Sequence, residues 1–316
     1  MKPIKRIYFY FILTWAIALI LNLKTGPISD ADLQLLLALR LPRALLASAV
    51  GMGLAVAGAA LQALFTNPLC EPYTLGISSG SALGAVIGLS WGVEGIFVGL
   101  AGPAFLGASV FSSILFFIAH RARQGSSTLL LSGVMLGFLG SSLVAVWMAL
   151  SDPNGIQGIL YWLLGDLSRA RLQGSLITLI TTLVLSFFIW RHSRAMDALL
   201  IGEEGALSLG ISVVTIRQRT IILTSLLVAV CVSSAGMIGF VGLVIPHFIR
   251  KLVGSLHIRL IPLAALLGAT TLTLADCLSR IIARPYELPV GVITALLGAP
   301  IYLWILLRGI LLPKEK

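Results

Sequence analysis

Two patterns in this 316-residue sequence are of the kind that carries bond chemistry. Gly76-Ile77-Ser78-Ser79-Gly80 fits the G-x-S-x-G nucleophile motif. With His247 as base, it would make a serine protease buried in a membrane. In soluble hydrolases the motif needs a strand-to-helix elbow, whereas here it opens an apolar run. The context of the histidine, Ile245-Pro246-His247-Phe248, adds nothing to the case. Serines hydrogen-bonding between packed helices are the simpler reading. The second pattern is a nucleotide site, and it is missing. No Gly-x4-Gly-Lys-Ser/Thr occurs, and no lysine follows a glycine, so this chain has no P-loop. Uphill transport by it would draw on an ion gradient or on a partner. Cys70, Cys231 and Cys277 form no CxxC pair, and the four histidines are scattered, so neither a cofactor nor a metal site of its own is expected.

The remaining candidates are charges. Asp276 stands four residues before Arg280 on one predicted helix face, which makes a local ion pair. No chain of Asp, Glu and His suggests a proton relay, which weakens an ion-coupled secondary transporter. The segment 191–219 mixes Glu203 and Glu204 with Leu199, Leu200, Ala206 and Leu207, and Gly202, Gly205 and Gly210 cut it into short helices. It reads either as a loop lying on the membrane or as a docking surface for a cytoplasmic partner. Arg40 and Arg43 flank Leu41-Pro42, and Arg280 and Arg284 precede Glu287-Leu288-Pro289, placing four arginines at two outer corners.

The elements that must position these residues follow from composition. The chain is 58% hydrophobic and only 11% charged, with a mean hydropathy of +1.03. That excludes an ordinary soluble enzyme, which carries about 25% charged residues, and it excludes disorder. One membrane crossing takes about 20 apolar residues. Apolar runs predict spans near 7–23, 44–64, 75–90, 96–119, 128–150, 172–190, 220–238, 241–253, 260–279 and 289–310. The result is an all-α polytopic membrane protein, ten transmembrane helices in a single compact bundle over 1–316. With both termini inside, seven of the 22 basic residues fall outside: Lys24, Arg40, Arg43, Arg169, Arg171, Arg280 and Arg284. The inside excess obeys the positive-inside rule, so the net charge of +10 reads as topology rather than nucleic-acid binding. The basic start (Lys2, Lys5, Arg6) before Ile7–Leu21 lacks a small-x-small cleavage site and reads as a retained helix. Small residues recur every four positions at Ala47, Gly51, Ala55, Ala59 and Ala63, and at Gly76, Gly80, Gly84 and Gly88, predicting close helix packing. Trp91, Trp147, Trp162 and Trp190 fall near span ends, as interfacial anchors do.

Several long stretches resemble one family in its order. They are Arg40-Leu41-Pro42-Arg43, Gln62-Ala63-Leu64-Phe65-Thr66-Asn67-Pro68-Leu69, Gly76 to Gly80, Gly202-Glu203 with Leu209-Gly210, Gly239 to His247, and Glu287 to Gly291 with Leu297 to Pro300. They resemble permeases of the iron-siderophore, haem and vitamin B12 class of ABC importers (the FecCD family), from Arg40 to Arg308. The resemblance implies ten helices, cytoplasmic termini and a place in the bacterial or archaeal cytoplasmic membrane. It implies a second permease copy and two cytoplasmic ATPase subunits that bind ATP and Mg. A periplasmic or lipoprotein substrate-binding protein would dock above. By motif, Gly202, Glu203, Glu204, Leu207 and Gly210 would couple to the ATPase. Arg40, Arg43, Arg280 and Arg284 would meet acidic residues of the binding protein. Asn67 and Leu69, with Gly125-Ser126-Ser127, would form the cytoplasmic gate. The cargo implied is first a ferric siderophore, as the commonest use of the family, then cobalamin or haem, moved without bond chemistry.

Overall fold

The structure, a computed structural model, describes residues 2–25, 36–91, 101–121, 126–151 and 153–311. Every regular element among them is helical. In chain order they are α1 (Lys2–Lys24), a π-helical turn (Leu36–Arg40) running into α2 (Leu41–Leu64), a 3-10 turn (Pro72–Leu75) and α3 (Ile77–Ser90). Next come α4 (Ala101–Arg121), α5 (Ser126–Leu150), α6 (Pro153–Leu163), α7 (Leu172–Arg191), α8 (Ser193–Leu199) and α9 (Glu203–Ser208). The chain closes with α10 (Val213–Ala235), α11 (Val241–Val253), α12 (His257–Ser279) and α13 (Val290–Leu311).

Each predicted apolar run overlaps one of these helices, although residues 96–100 lie outside the described set. Seven are long and apolar enough to cross a bilayer, α1, α2 with its leading turn, α4, α5, α7, α10 and α12, while α3 and α13 carry shorter apolar lengths. α11 has 13 residues and contains Pro246. The ends differ from the sequence reading where the backbone turns. α3 starts at Ile77 because Gly76, at φ +72°, terminates the 3-10 turn before it. α10 stops at Ala235, three residues early, because Gly236 takes φ +73°. The amphipathic α6 was not anticipated, since its 11 residues fall well short of a span. α8 and α9 are the short helices that the glycines of 191–219 foretell.

α2 is the hub, buried over almost its whole length and packed against α12, α7, α10 and α11. Its small-residue stripe makes this possible. A Cβ on Gly51 would lie 2.3 Å from the Gly268 carbonyl oxygen of α12, and a Cβ on Gly268 would lie 2.3 Å from the Gly51 oxygen. Helices in lipid gain nothing from burying apolar surface, so this backbone-to-backbone approach supplies the dispersion contact instead. α3 and α4 repeat the device at Gly80 and Gly107. The periphery is the reverse: Leu106, Phe117, Phe138, Val146, Ile180, Phe187 and Leu303 are all more than half exposed. Such a surface suits hydrocarbon, where helices satisfy their own backbone.

Candidate functional site

Polar groups gather in three places. The first is at the ends of α1, α2 and α12. Asp276 is fully buried, yet it is held by three donors: Arg43 Nε at 2.8 Å, Arg280 Nη2 at 3.0 Å and Asn22 Nδ2 at 2.9 Å. The predicted Asp276–Arg280 pair is therefore present, and it is one part of a network joining three helices. Arg43 also donates through Nη1 to Glu287 at 2.8 Å. Arg40 donates to the Leu23 and Lys24 carbonyls, and Arg280 to those of Thr25 and Asn22. These carbonyls end α1 and lack intrahelical partners, so the arginines complete it. Arg40 and Arg280 are consequently 7% and 6% exposed; the picture of four arginines standing outward holds for Arg284, whereas Arg43 is partly covered. Beside them a hollow of about 440 Å³ lies between the Arg43–Glu287 pair and an Asp166–Arg169 pair, with Gln157 and Tyr161 in its wall.

The second place is the segment 191–219. Gly202 at φ +100° and Gly210 at φ +76° bracket α9, in backbone conformations that favour glycine. Glu203 and Glu204 occupy the first turn of α9, where acidic side chains suit the helix dipole. Glu203 bonds Arg217 of α10 at 2.5 Å. Of the four apolar residues picked from sequence, Leu199 and Ala206 face inward, whereas Leu200 and Leu207 face outward with Ile201 and Leu209. Asp197 of α8 reaches α12, where its Oδ1 accepts from the His257 amide at 2.8 Å and from His257 Nδ1 at 2.6 Å. Sequence reading missed this pair; 60 residues separate the partners, and neither carries a motif.

The third place is the connection from α2 to α3. Asn67 Oδ1 accepts from the Leu69 amide at 2.9 Å, and Leu69 projects with 54% of its surface exposed. Asn67 and Ser127 line one hollow of about 320 Å³ with Phe65, Leu130, Leu131 and Val134. Ser126 is the first residue of α5, its side chain undescribed, and Gly125 lies outside the described residues. The same connection fastens the start of α11. Gln62 Nε2 donates to the carbonyls of Cys70, Gly242 and Leu243, while the Tyr73 hydroxyl accepts from the Ile238 amide. Glu71 accepts from the Phe240 amide. Burial holds the Glu71 carboxyl above the usual carboxylate range, and the Phe240 bond offsets only part of that.

The serine motif is not assembled into a nucleophile. Ser78 Oγ is buried with no hydrogen-bond partner, and the His247 ring packs edge-on against Tyr302 at 5.9 Å. Ser79 instead reaches Ser141 of α5 at 3.4 Å, the inter-helix bond that sequence favoured for this stretch.

Comparison with known proteins fits this arrangement of polar ends on an apolar bundle. Residues 7–308 match the profile of the FecCD transport family. The vitamin B12 import system permease protein BtuC of Vibrio cholerae is 40% identical over 287 residues, covering 89% of this chain and 85% of the relative. The hemin transport system permease protein HmuU of Yersinia pestis is 38% identical over 287 residues, with the same two coverages. Among solved structures, a metal-chelate type ABC transporter in an inward-facing conformation superposes with a TM-score of 0.89 at 32% identity, covering 96% of this chain and 99% of that one. With the profile running from α1 into α13 and relatives matched along nearly nine-tenths of its length, the chain is a multi-pass membrane protein of the FecCD transport family, the permease component of an ABC importer.

Proposed function

We propose that this chain forms the translocation path of an ATP-driven importer for a bulky metal chelate, working by alternating access as a pair of permease copies above two ATPase subunits. The observation that carries the reading is the pairing of two polar surfaces at opposite ends of one apolar bundle. An acid-led short helix with outward leucines, Glu203–Ser208, lies at one end, and an arginine network lies at the other. Ten crossings with both termini cytoplasmic account for the distribution of basic residues. α9, with Glu203, Glu204, Leu207 and the glycines Gly202 and Gly210, would sit in a cleft of the ATPase. Asn67, Leu69, Ser126 and Ser127 would close the path on the same side. On the outer side a binding protein would dock through Arg43 and Arg284, while Arg40 and Arg280 close the end of α1 beside them. The relatives are named for vitamin B12 and hemin, so a metal-centred macrocycle is the first cargo to test and a ferric siderophore the second.

The decisive experiment is reconstitution with the cognate ATPase and binding protein in proteoliposomes, followed by uptake of cyanocobalamin, hemin and ferrichrome. ATP-dependent uptake of one of the three is expected, and Glu203→Lys should abolish both uptake and ATPase stimulation. Uptake that persists without ATP and collapses with an uncoupler would replace this reading with an ion-coupled transporter.

A further inference from the structure

Two helices from opposite ends of the sequence bring their cations to one seam. α1 carries Lys5 and Arg6 in its opening turns, with no acidic residue in the first of them. α12 packs along α1, has Arg259 as its third residue and also opens without an acid. Arg259 is close enough to the Tyr8 hydroxyl for its charge to act on it. Lys5 stands one turn before Tyr8, on the same side of α1. Lys5, Arg6 and Arg259 are all exposed.

Among the described residues no carboxylate reaches these three cations. On this side of the bundle Asp197 is turned to His257, and Glu203 to Arg217. His257 and Arg259 are two residues apart, about 200° around the helix, so Arg259 points away from Asp197. The placement also runs against the helix dipole, which favours anions rather than cations at an opening turn. Elsewhere the chain follows that preference: Glu203 and Glu204 open α9, while Arg250 and Lys251 close α11. The positive-inside rule asks for basic residues on one side of the membrane, but it does not gather them on one seam.

What lies below the cations is apolar. α1 is the least enclosed of the seven long spanning helices. Its Phe9, Tyr10 and Ile12 are all more than half exposed, and Ile258 is open beside Arg259. These α1 positions begin about 6–10 Å deeper than Lys5 along the helix. Cations at the membrane surface above an uncovered apolar strip match the layout of one molecule, a phospholipid with a net negative headgroup. Its phosphate would meet Arg259 through paired guanidinium donors and Tyr8 through the phenol O–H. Its acyl chains would continue down α1. A soluble anion would leave the strip unused, and an acidic protein surface could not follow it into hydrocarbon.

We propose that the seam between α1 and α12, marked by Lys5, Arg6, Tyr8 and Arg259, is a binding site for an anionic phospholipid. The bound phosphate relieves the repulsion between cations on the two helices and so fastens α1 to the bundle. The proposal requires only that α1 begins at a membrane surface, and it stands apart from the importer reading.

The test is titration of the full-length protein in detergent with dioleoylphosphatidylglycerol or dioleoylphosphatidylcholine, with bound lipid counted by native mass spectrometry. Phosphatidylglycerol should be retained in preference and should raise the melting temperature. A basic residue near an anionic headgroup is worth about fivefold in affinity, so Lys5→Gln with Arg259→Gln should cut the preference about 25-fold. Arg194→Gln with Lys251→Gln removes the same charge from exposed positions elsewhere and should leave the preference in place. Equal retention of the two lipids, or an equal loss in both double variants, overturns the proposal. Inorganic phosphate that displaces the lipid better than chloride at equal ionic strength would make this a soluble-anion site and also overturn it. A Lys5, Arg259 double variant that keeps its phosphatidylglycerol but no longer assembles with the cognate ATPase would make the seam a protein contact instead. Should that double variant fail to fold, Lys5→Gln alone decides: a fall of about fivefold supports the site, and unchanged retention rejects it.

Discussion

Asp276 shows how a single residue sets requirements on distant ones. A carboxylate with no exposed surface must be paired and hydrogen-bonded, and here two guanidinium groups and an amide meet that need. Removing it strands two cations, so Asp276→Ala should cost about 3–5 kcal/mol, read as a large fall in the unfolding midpoint in detergent. Asp276→Asn, which keeps an acceptor, should fall by less. Glu71 works in the opposite sense. Its carboxyl is raised by burial, so folding favours the protonated form, and stability from this group grows as pH falls through its raised range. Glu71→Gln should match or exceed the natural protein in Tm at neutral pH, with the gap closing as pH is lowered; a Tm gap that widens on acidification would refute the assignment. The sequence made Arg280 legible as Asp276's partner because the two share a helix face. Arg43 and Asn22 were not legible, because each lies more than 230 residues away and pairing at that distance is a product of packing.

At the scale of elements, the small-residue stripes were legible as packing faces, but which helices they meet was not. A stripe states that something comes close, and only the assembled bundle shows that Gly51 meets Gly268. The geometry separates two glycines of the same type. At Gly51 a Cβ would drive into the Gly268 backbone, so Gly51→Ala should destabilise by about 1–3 kcal/mol. At Gly174 in α7 the Cβ would meet nothing within 4 Å, and Gly174→Ala should be neutral or stabilising by about 0.5–1 kcal/mol. Paired melting curves decide it; equal shifts in the two variants would contradict the contact. α6 escaped notice for a related reason. Hydropathy windows find crossings, and an 11-residue amphipathic helix opened by Pro153 is too short to register as one.

For the molecule as a whole, composition carried the fold class, and the basic residues argue for an orientation through the positive-inside rule. Orientation is readily tested, since Cys70, Cys231 and Cys277 are all buried, and burial pushes the Cys70 thiol up to about 11, away from the reactive thiolate. Intact cells treated with an impermeant maleimide should therefore label Arg284→Cys and spare Leu207→Cys, while inverted vesicles should do the reverse. Labelling of both positions from one side would require a different arrangement of crossings. Motifs mark out the three segments proposed as surfaces. Their states are not so marked: nothing in the order of residues says that Arg40 is spent on the end of α1, or that Asp197 finishes a helix 60 residues further on.

The enclosure of α2 bears on how the protein is made. Its glycine and alanine face is covered largely by α12, which is synthesised about two hundred residues later. At 5–20 residues per second that interval lasts roughly 10–40 s. Throughout it, the helix destined for the centre of the bundle lies in lipid with its narrowest, most adhesive face uncovered. The last third of the chain is therefore what commits the first third to its place, and a chain truncated before Gly268 would leave that face open to the wrong neighbour.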